Sequence, residues 1–237
     1  MKAQTPLAES VKVFESWSHT YNDSIVVLMQ KKFGADYADT IRRVANTASP
    51  RPGDKILDVA TGTGTVALAL SNLTNNTCHI TGIDISESML NSARDNVKQA
   101  GLSKNFVFQV ASAEELPFES NSFDLVTSSL AIHHTKVMQV LKEMARVLKP
   151  GGRLTVADVT ANPSWRTPLG LMFRFMDQLY MMGTESNDLF CEFHTVAEWE
   201  KMAGKLRLED IKISQIPPKH VWSRGIVIIG GRKPLPN

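Results

Sequence analysis

Apolar positions along this chain follow two different periods. Over residues 7–48, Val11, Phe14 and Trp17, then Ile25, Leu28, Met29, Ile41 and Val44, recur at helical spacing until Pro50 and Pro52 stop the run. This predicts N-terminal helices. A short β-branched run over 56–59 then reads as a buried strand, Gly62 and Gly64 break it, and 66–73 has helical composition. Further strands are predicted over 78–83, 106–110, 123–128 and 153–159, with two more over 206–216 and 221–230 on either side of Pro217-Pro218. Ser86 is placed to cap a helix over 87–100, which Gly101 closes. Val137, Val140, Leu141, Met144, Val147 and Leu148 form one apolar helix face, and Lys149-Pro-Gly-Gly152 turns it into the next strand.

The stretch 162–205 breaks this alternation. Leu169, Met172, Phe173, Met176, Leu179 and Tyr180 make a helical stripe with Met181 and Met182 behind it, and Thr195-Val-Ala-Glu198 is a capping-box pattern ahead of Trp199 and Met202. A Met-rich apolar face suits a lid that adapts to varied ligands, and it is equally ordinary as core filling.

Composition narrows the picture. With 43% hydrophobic and 21% charged residues in a chain of 237, one well-filled domain is expected. A net charge of +2, with no basic run longer than a pair, gives no support for a nucleic-acid partner. No apolar run reaches membrane-spanning length and the first residues lack a signal-peptide core, so no stable membrane insertion and a cytoplasmic location are expected. Cys78 and Cys191 are too few for a disulfide framework or a metal site. Monomer and homodimer remain equally open.

The chemistry gathers at Asp58-Val-Ala-Thr-Gly-Thr-Gly64. Glycines let the backbone approach a ligand, and the N–H groups that open the following helix, near Thr63 to Val66, have no intrahelical partners. Gly62-x-Gly64-x-x-Ala67, with Asp84 about 20 residues on, also satisfies a loose dinucleotide fingerprint. Asp58 argues against that reading, because its carboxylate adds negative charge beside a pyrophosphate but complements an ammonium group. S-adenosylmethionine carries an ammonium, a sulfonium and no phosphate.

The segment resembles motif I of the class I S-adenosylmethionine-dependent methyltransferases, of the small-molecule type that includes the ubiquinone and menaquinone biosynthesis enzymes. The resemblance implies a Rossmann-like α/β fold: a doubly wound, seven-stranded, mostly parallel sheet with N-terminal helices and a helical lid insertion. A single domain would then divide into a helical cover (1–50), a cofactor-binding core (51–160), the lid (162–205) and a terminal strand pair (206–237). The cofactor would lie on Asp58, Ala60, Thr61, Gly62, Thr63 and Gly64, with Asp84 on the ribose hydroxyls and Ile85 and Met89 along the adenine. Ala111-Ser-Ala-Glu-Glu-Leu-Pro-Phe118 resembles the family's adenine loop, with Ser112 in place of the usual aspartate, and brings Ala113 and Glu114 to the base. Leu141-Lys-Glu-Met-Ala-Arg-Val-Leu-Lys-Pro-Gly-Gly-Arg-Leu154 matches the family's structural segment after the reaction centre.

At the end of the fourth strand, Ser129-Leu-Ala-Ile-His133-His134 stands where nucleic-acid amino-methyltransferases carry Asn/Asp-Pro-Pro-Tyr. The His pair is similar to that of small-molecule methyltransferases, whereas quinone-ring enzymes tend to have Arg-Asn here. Histidine can take a proton as methyl arrives. His133 is expected to face the cofactor, with His134 either sharing that role or ordering the turn. Phe14-x6-Tyr21-Asn resembles the Phe-x6-Tyr-Asp segment of the same enzymes, which implies Tyr21 near the transferable methyl; the alternative is packing with its hydroxyl at the surface. The expected activity is methyl transfer by direct displacement, without metal, to a small hydrophobic or aromatic acceptor. A cofactor-binding sensor or assembly subunit of the same fold is the alternative, and an NAD-linked dehydrogenase the third reading.

Overall fold

In the computed structural model of the chain, residues 21–167, 170–172, 175, 193–218, 220 and 223–236 are described. The expectations for residues 1–20, for most of the Met-rich stripe of the expected lid and for Cys191 lie outside them. Helix α1 (Tyr21–Leu28) runs into a π-helical turn (Met29–Phe33), and Gly34 ends it in the left-handed region. Asp36 opens α2 (Tyr37–Ala48) by accepting from Asp39 N–H at 2.7 Å.

Strand β1 (Lys55–Val59), helix α3 (Thr65–Leu73), β2 (His79–Asp84), α4 (Glu87–Gln99) and β3 (Phe106–Val110) follow in βαβ alternation. Then come β4 (Phe123–Ser129), α5 (Val137–Val147), β5 (Leu148–Thr160), α6 (Val196–Lys205), β6 (Glu209–Ile216) and β7 (Gly225–Arg232). Among the described residues the seven strands form one sheet in the order β3-β2-β1-β4-β5-β7-β6. The first five are parallel, and β7 inserts antiparallel between β5 and β6. The sheet is doubly wound, as the family resemblance implies.

Both faces of this sheet are covered, which is why β1 and β4 are buried at nearly every position. Leu57, Val59, Val126 and Val156 pack with Val140, Met144 and Trp199 on one face. Ile56 and Leu125 pack with Ile41, Val44, Leu70 and Val97 on the other. The five buried positions of α5 (Val137, Val140, Leu141, Met144 and Val147) each gain about 1.5–3 kcal/mol from leaving water. A charge at Met144, wholly buried, would break that seam.

The sheet changes winding direction between β1 and β4, with Asp58 in register with Thr127. Open α/β sheets bind ligands beyond the strand ends at such a switch point.

Three strand starts differ by more than one residue from those predicted. Strand β5 begins at Leu148 rather than 153, because Gly151 N–H donates to Lys233 O at 2.8 Å and Lys233 N–H donates to Gly152 O at 2.9 Å. The predicted turn is thereby tied to the chain after β7. Strand β6 starts late because Leu206 and Arg207, the latter at φ 55°, close α6. Strand β7 starts late because a turn in which Ser223 N–H donates to His220 O precedes it.

Candidate active site

The turn after β1 is built from left-handed backbone: Ala60 at φ 54°, Gly62 at 53° and Gly64 at 79°. Thr61 N–H donates to Ile83 O at 2.8 Å, which fastens the turn to the end of β2. The two glycines serve different ends. A Cβ on Gly62 would meet nothing within 4 Å, so open space lies beside that backbone, whereas a Cβ on Gly64 would come 3.3 Å from Ala93 Cβ. Gly64 thus lets α3 and α4 pack closely.

Beside the turn lies a cleft of about 1040 Å³, its open mouth included. This is ample for a nucleoside-sized ligand. Asp58, Ala60, Thr61, Gly62, Thr63, Asp84, Ile85, Met89, Ser112, Ala113, Glu114, Ser129 and His134 line it, so the sequence-predicted set is largely brought together. Gly64 and His133 are not on its wall. Tyr21 opens α1, but its side chain lies outside the described residues.

The two acids are buried and differently held. Asp58 accepts from the Thr61 hydroxyl at 2.6 Å. Burial pushes its carboxyl up to about 7, the Thr61 bond opposes the shift, and the Asp84 charge adds to it. Asp84 accepts from Gly62 N–H at 2.9 Å through Oδ2 and from Ser86 N–H at 3.0 Å through Oδ1. Its carboxyl too is raised, by burial first, against the pull of those backbone donors. Each Asp84 oxygen keeps acceptor capacity for a vicinal diol.

Further along, the Ser112 hydroxyl accepts from Glu114 N–H at 3.2 Å. The Glu114 carboxylate accepts from Lys136 N–H at 3.1 Å, so it braces the loop against the start of α5 while the same residue lines the cleft. Ser129 Oγ is buried on the wall without a hydrogen-bond partner. That orphaned hydroxyl, the spare capacity of Asp84, the open side of Gly62 and the negative Asp58 fit a cationic, phosphate-free nucleoside. A diphosphate would sit against two acids.

The histidines reverse the expectation. His134 is the ring on the cleft wall, whereas His133 turns back to Asp158, its Nδ1 2.5 Å from Oδ1. The physical reason is a buried carboxylate on β5 that captures the first ring of the pair. Burial, then the nearby charges of His133 and Arg224, push the His134 imidazole well below the usual histidine value, so it is neutral at neutral pH.

Sequence reasoning missed Tyr37 and Leu130 on the cleft wall, and Asp158 behind it. Burial raises the Tyr37 hydroxyl, with nearby Thr65 opposing the shift and the Asp58 charge adding to it. Its signal was its place directly after the capping Asp36. Leu130 stands at φ 56°, which nothing in its side chain announces. A lone acid inside the apolar β5 run was the readable sign of Asp158.

Sheet order, switch-point cleft and paired acids define a class I S-adenosylmethionine-dependent methyltransferase, and S-adenosylmethionine is its cofactor. Comparison with known proteins agrees. The model of the ubiE/COQ5 methyltransferase family matches residues 4–188, and the chain belongs to that family. A demethylmenaquinone methyltransferase of Listeria welshimeri is 35% identical over 168 residues, covering 70% of this chain and 69% of that protein. The fold is shared with the YcgJ protein of Bacillus subtilis at a TM-score of 0.68, 22% identical, over 84% of this chain and 100% of that one. It is shared too with a geranyl diphosphate C-methyltransferase of Streptomyces coelicolor, solved with S-adenosyl-L-homocysteine, at 0.67 and 14% identity over 83% and 79%. Family membership sets aside the sensor and dehydrogenase readings. No helix among the described residues is long and apolar enough to cross a membrane.

Proposed function

We propose that this enzyme methylates a small, hydroxylated aromatic acceptor of the reduced-quinone type, with His134 receiving the proton the acceptor gives up. The observation that carries this reading is the continuity of one cleft from Asp58 and Asp84 to His134, past the apolar Leu130 and Ala131. When bound, the cofactor supplies a methyl group already activated on a sulfonium centre. The chain's own part is then alignment, exclusion of water and proton removal. Asp84 holds a ribose, Asp58 faces an ammonium, and the neutral His134 imidazole on the same wall takes up the proton.

The name of the Listeria relative supports a demethylmenaquinol-like acceptor, since the unsubstituted ring carbon ortho to a hydroxyl becomes nucleophilic as that hydroxyl is deprotonated, and sheds its own proton to restore the aromatic ring once it is methylated. The insertion after β5 is part of the proposal as a substrate cover. Its two ends support this: Trp165 and Phe193 meet edge to face at 6.5 Å, and Phe193 stacks on His133 at 5.7 Å. Action in the cytoplasm is also proposed, supported by the free, buried Cys78 thiol.

The test is transfer of labelled methyl from S-adenosylmethionine to chemically reduced demethylmenaquinone and to simple dihydroxynaphthalenes. Methylated ring product, lost in the His134→Gln variant, is expected. Failure of both acceptors with cofactor bound would overturn the acceptor class, and a fully active variant would overturn the role of His134.

A further inference from the structure

We propose that Asp158 and His133 form a buried positioning pair that fixes the orientation and tautomer of the His134 ring on the cleft wall. This rests on the reading of His134 as proton acceptor for its purpose, though not for its geometry.

Asp158 is wholly buried in the second half of β5. Its carboxylate holds His133 at both ends: Oδ1 accepts from the ring at Nδ1 across 2.5 Å, and Oδ2 accepts from the backbone N–H at 3.0 Å. Oδ1 also accepts from Val159 N–H at 2.7 Å. Ring and backbone of one residue are therefore pinned to one anion, and Nδ1 is the donor in that pair. A carboxylate fixed by three donors orients its partner far more tightly than a single neutral bond does.

The constraint passes on to His134 by direct contact. The two imidazoles lie with centroids 4.1 Å apart, and Phe193 stacks against His133 at 5.7 Å with an interplanar angle of 26°. The Arg224 guanidinium in turn sits 4.0 Å over the Phe193 ring. The loop itself is held by β5 at a second point, where Leu130 N–H donates to Ala157 O at 2.8 Å. Neighbouring residues 157 and 158 thus fasten both ends of the segment that carries the His pair. Among the described residues, the charged and titratable groups near His134 include His133 and Arg224, with Asp58, Asp84 and Glu114 along the shared cleft.

A purely structural Asp158 would satisfy loop N–H groups and no more. Two variants separate the possibilities: Asp158→Asn keeps shape and an acceptor oxygen but removes the charge, and His133→Phe keeps the flat ring but removes the Nδ1 donor.

The full-length protein, saturated with S-adenosyl-L-homocysteine, is labelled with nitrogen-15 at histidine, and the ring nitrogens of His134 are followed through a pH titration. Exposed His79 serves as an internal control. Both variants are expected to change the His134 tautomer ratio and its titration midpoint, with His79 unmoved and cofactor affinity within about twofold of wild type, because neither residue lines the cleft. Where a methyl acceptor turns over, kcat should fall about 10- to 100-fold with KM little changed. The Asp158→Asn/His133→Phe double variant should lose no more than the worse single. If Asp158→Asn does not fold, His133→Phe alone decides.

Unaltered His134 signals in the folded variants would overturn the pair, as would strictly multiplicative losses in the double variant. Altered signals alongside a fully active His134→Gln enzyme would instead leave the pair standing and sink only the role of His134 as proton acceptor.

Discussion

The backbone N–H of Gly62 donates to Asp84 Oδ2 across 2.9 Å, so the glycine turn after β1 and the acid that ends β2 are one mechanical unit. Ser86 N–H holds the other carboxylate oxygen at 3.0 Å, and both oxygens keep acceptor capacity in a residue that lines the cleft. Asp84→Ala removes the diol acceptor and the anchor of the turn together. Hydrogen bonds to a charged group contribute about 1.5–3 kcal/mol each, so cofactor affinity should fall about 100-fold or more. Calorimetric titration with S-adenosyl-L-homocysteine, which carries the same ribose, measures this. An affinity unchanged in Asp84→Ala would mean that the ribose is held elsewhere.

Asp58 makes cofactor binding depend on pH. Burial, with the Asp84 charge adding and the Thr61 hydroxyl opposing, raises its carboxyl from 3.8 to about 7. Between these values the folded chain holds a proton that the unfolded chain releases, so this group's contribution to stability is full below 3.8 and is lost as pH rises to about 7. An ammonium group has the opposite preference and favours the ionised acid. Affinity for S-adenosylmethionine should therefore rise with pH, by up to about tenfold per unit on the acid side of neutrality, and level off above it. Titrations across that range check the slope, and Asp58→Asn should flatten it.

How much of this was legible in the chain follows from how far each contact reaches. The run at 56–59, the Ser86 cap and the capping box of Thr195 with Glu198 are decided within a few residues, and the structure shows all three. The apolar face of α5 is equally local. The strand order came from the family resemblance rather than from any spacing in the chain. Which histidine meets the cleft depends on Asp158, 25 residues away, and spacing within the loop carries no trace of it. The start of β5 depends on Lys233, beyond the end of β7. The family-like Tyr21 drew attention from Tyr37, whose position over the turn is set by how α2 packs on the sheet.

The two glycines of the turn should respond differently to alanine. At Gly64 the new methyl would lie 3.3 Å from Ala93 Cβ on a backbone at φ 79°, so α3 and α4 must separate or the turn must shift. A stability loss of about 1–3 kcal/mol in denaturant unfolding is expected. At Gly62, φ is 53° but no atom lies within 4 Å of the added Cβ. Strain alone should cost about 1–2 kcal/mol there. The larger effect should be on cofactor affinity, since Gly62 lines the cleft. Equal losses of stability and equal affinities in the two variants would contradict this division of roles.

Tyr37 stands at the opening of α2, half-buried on the cleft wall, with its hydroxyl close enough to Thr65 and Asp58 to be shifted by both. Thr65 is the first residue of α3, and its hydroxyl lies 3.3 Å from that of Thr63 in the glycine turn. The phenol thus brings α2 onto the same cleft wall as the cradle. Tyr37→Phe keeps the ring and its packing, so thermal stability should hardly move. A hydroxyl removed from the cleft wall is worth about 0.5–1.5 kcal/mol as one hydrogen bond to the ligand, which predicts cofactor affinity weakened about two- to tenfold. Tyr37→Ala should lose both, with about 3 kcal/mol or more of stability removed along with the ring. Thermal melts and calorimetry on the two variants separate these effects. A Tyr37→Phe protein that binds as tightly as wild type would reduce Tyr37 to a packing residue and free α2 from any part in holding the cofactor.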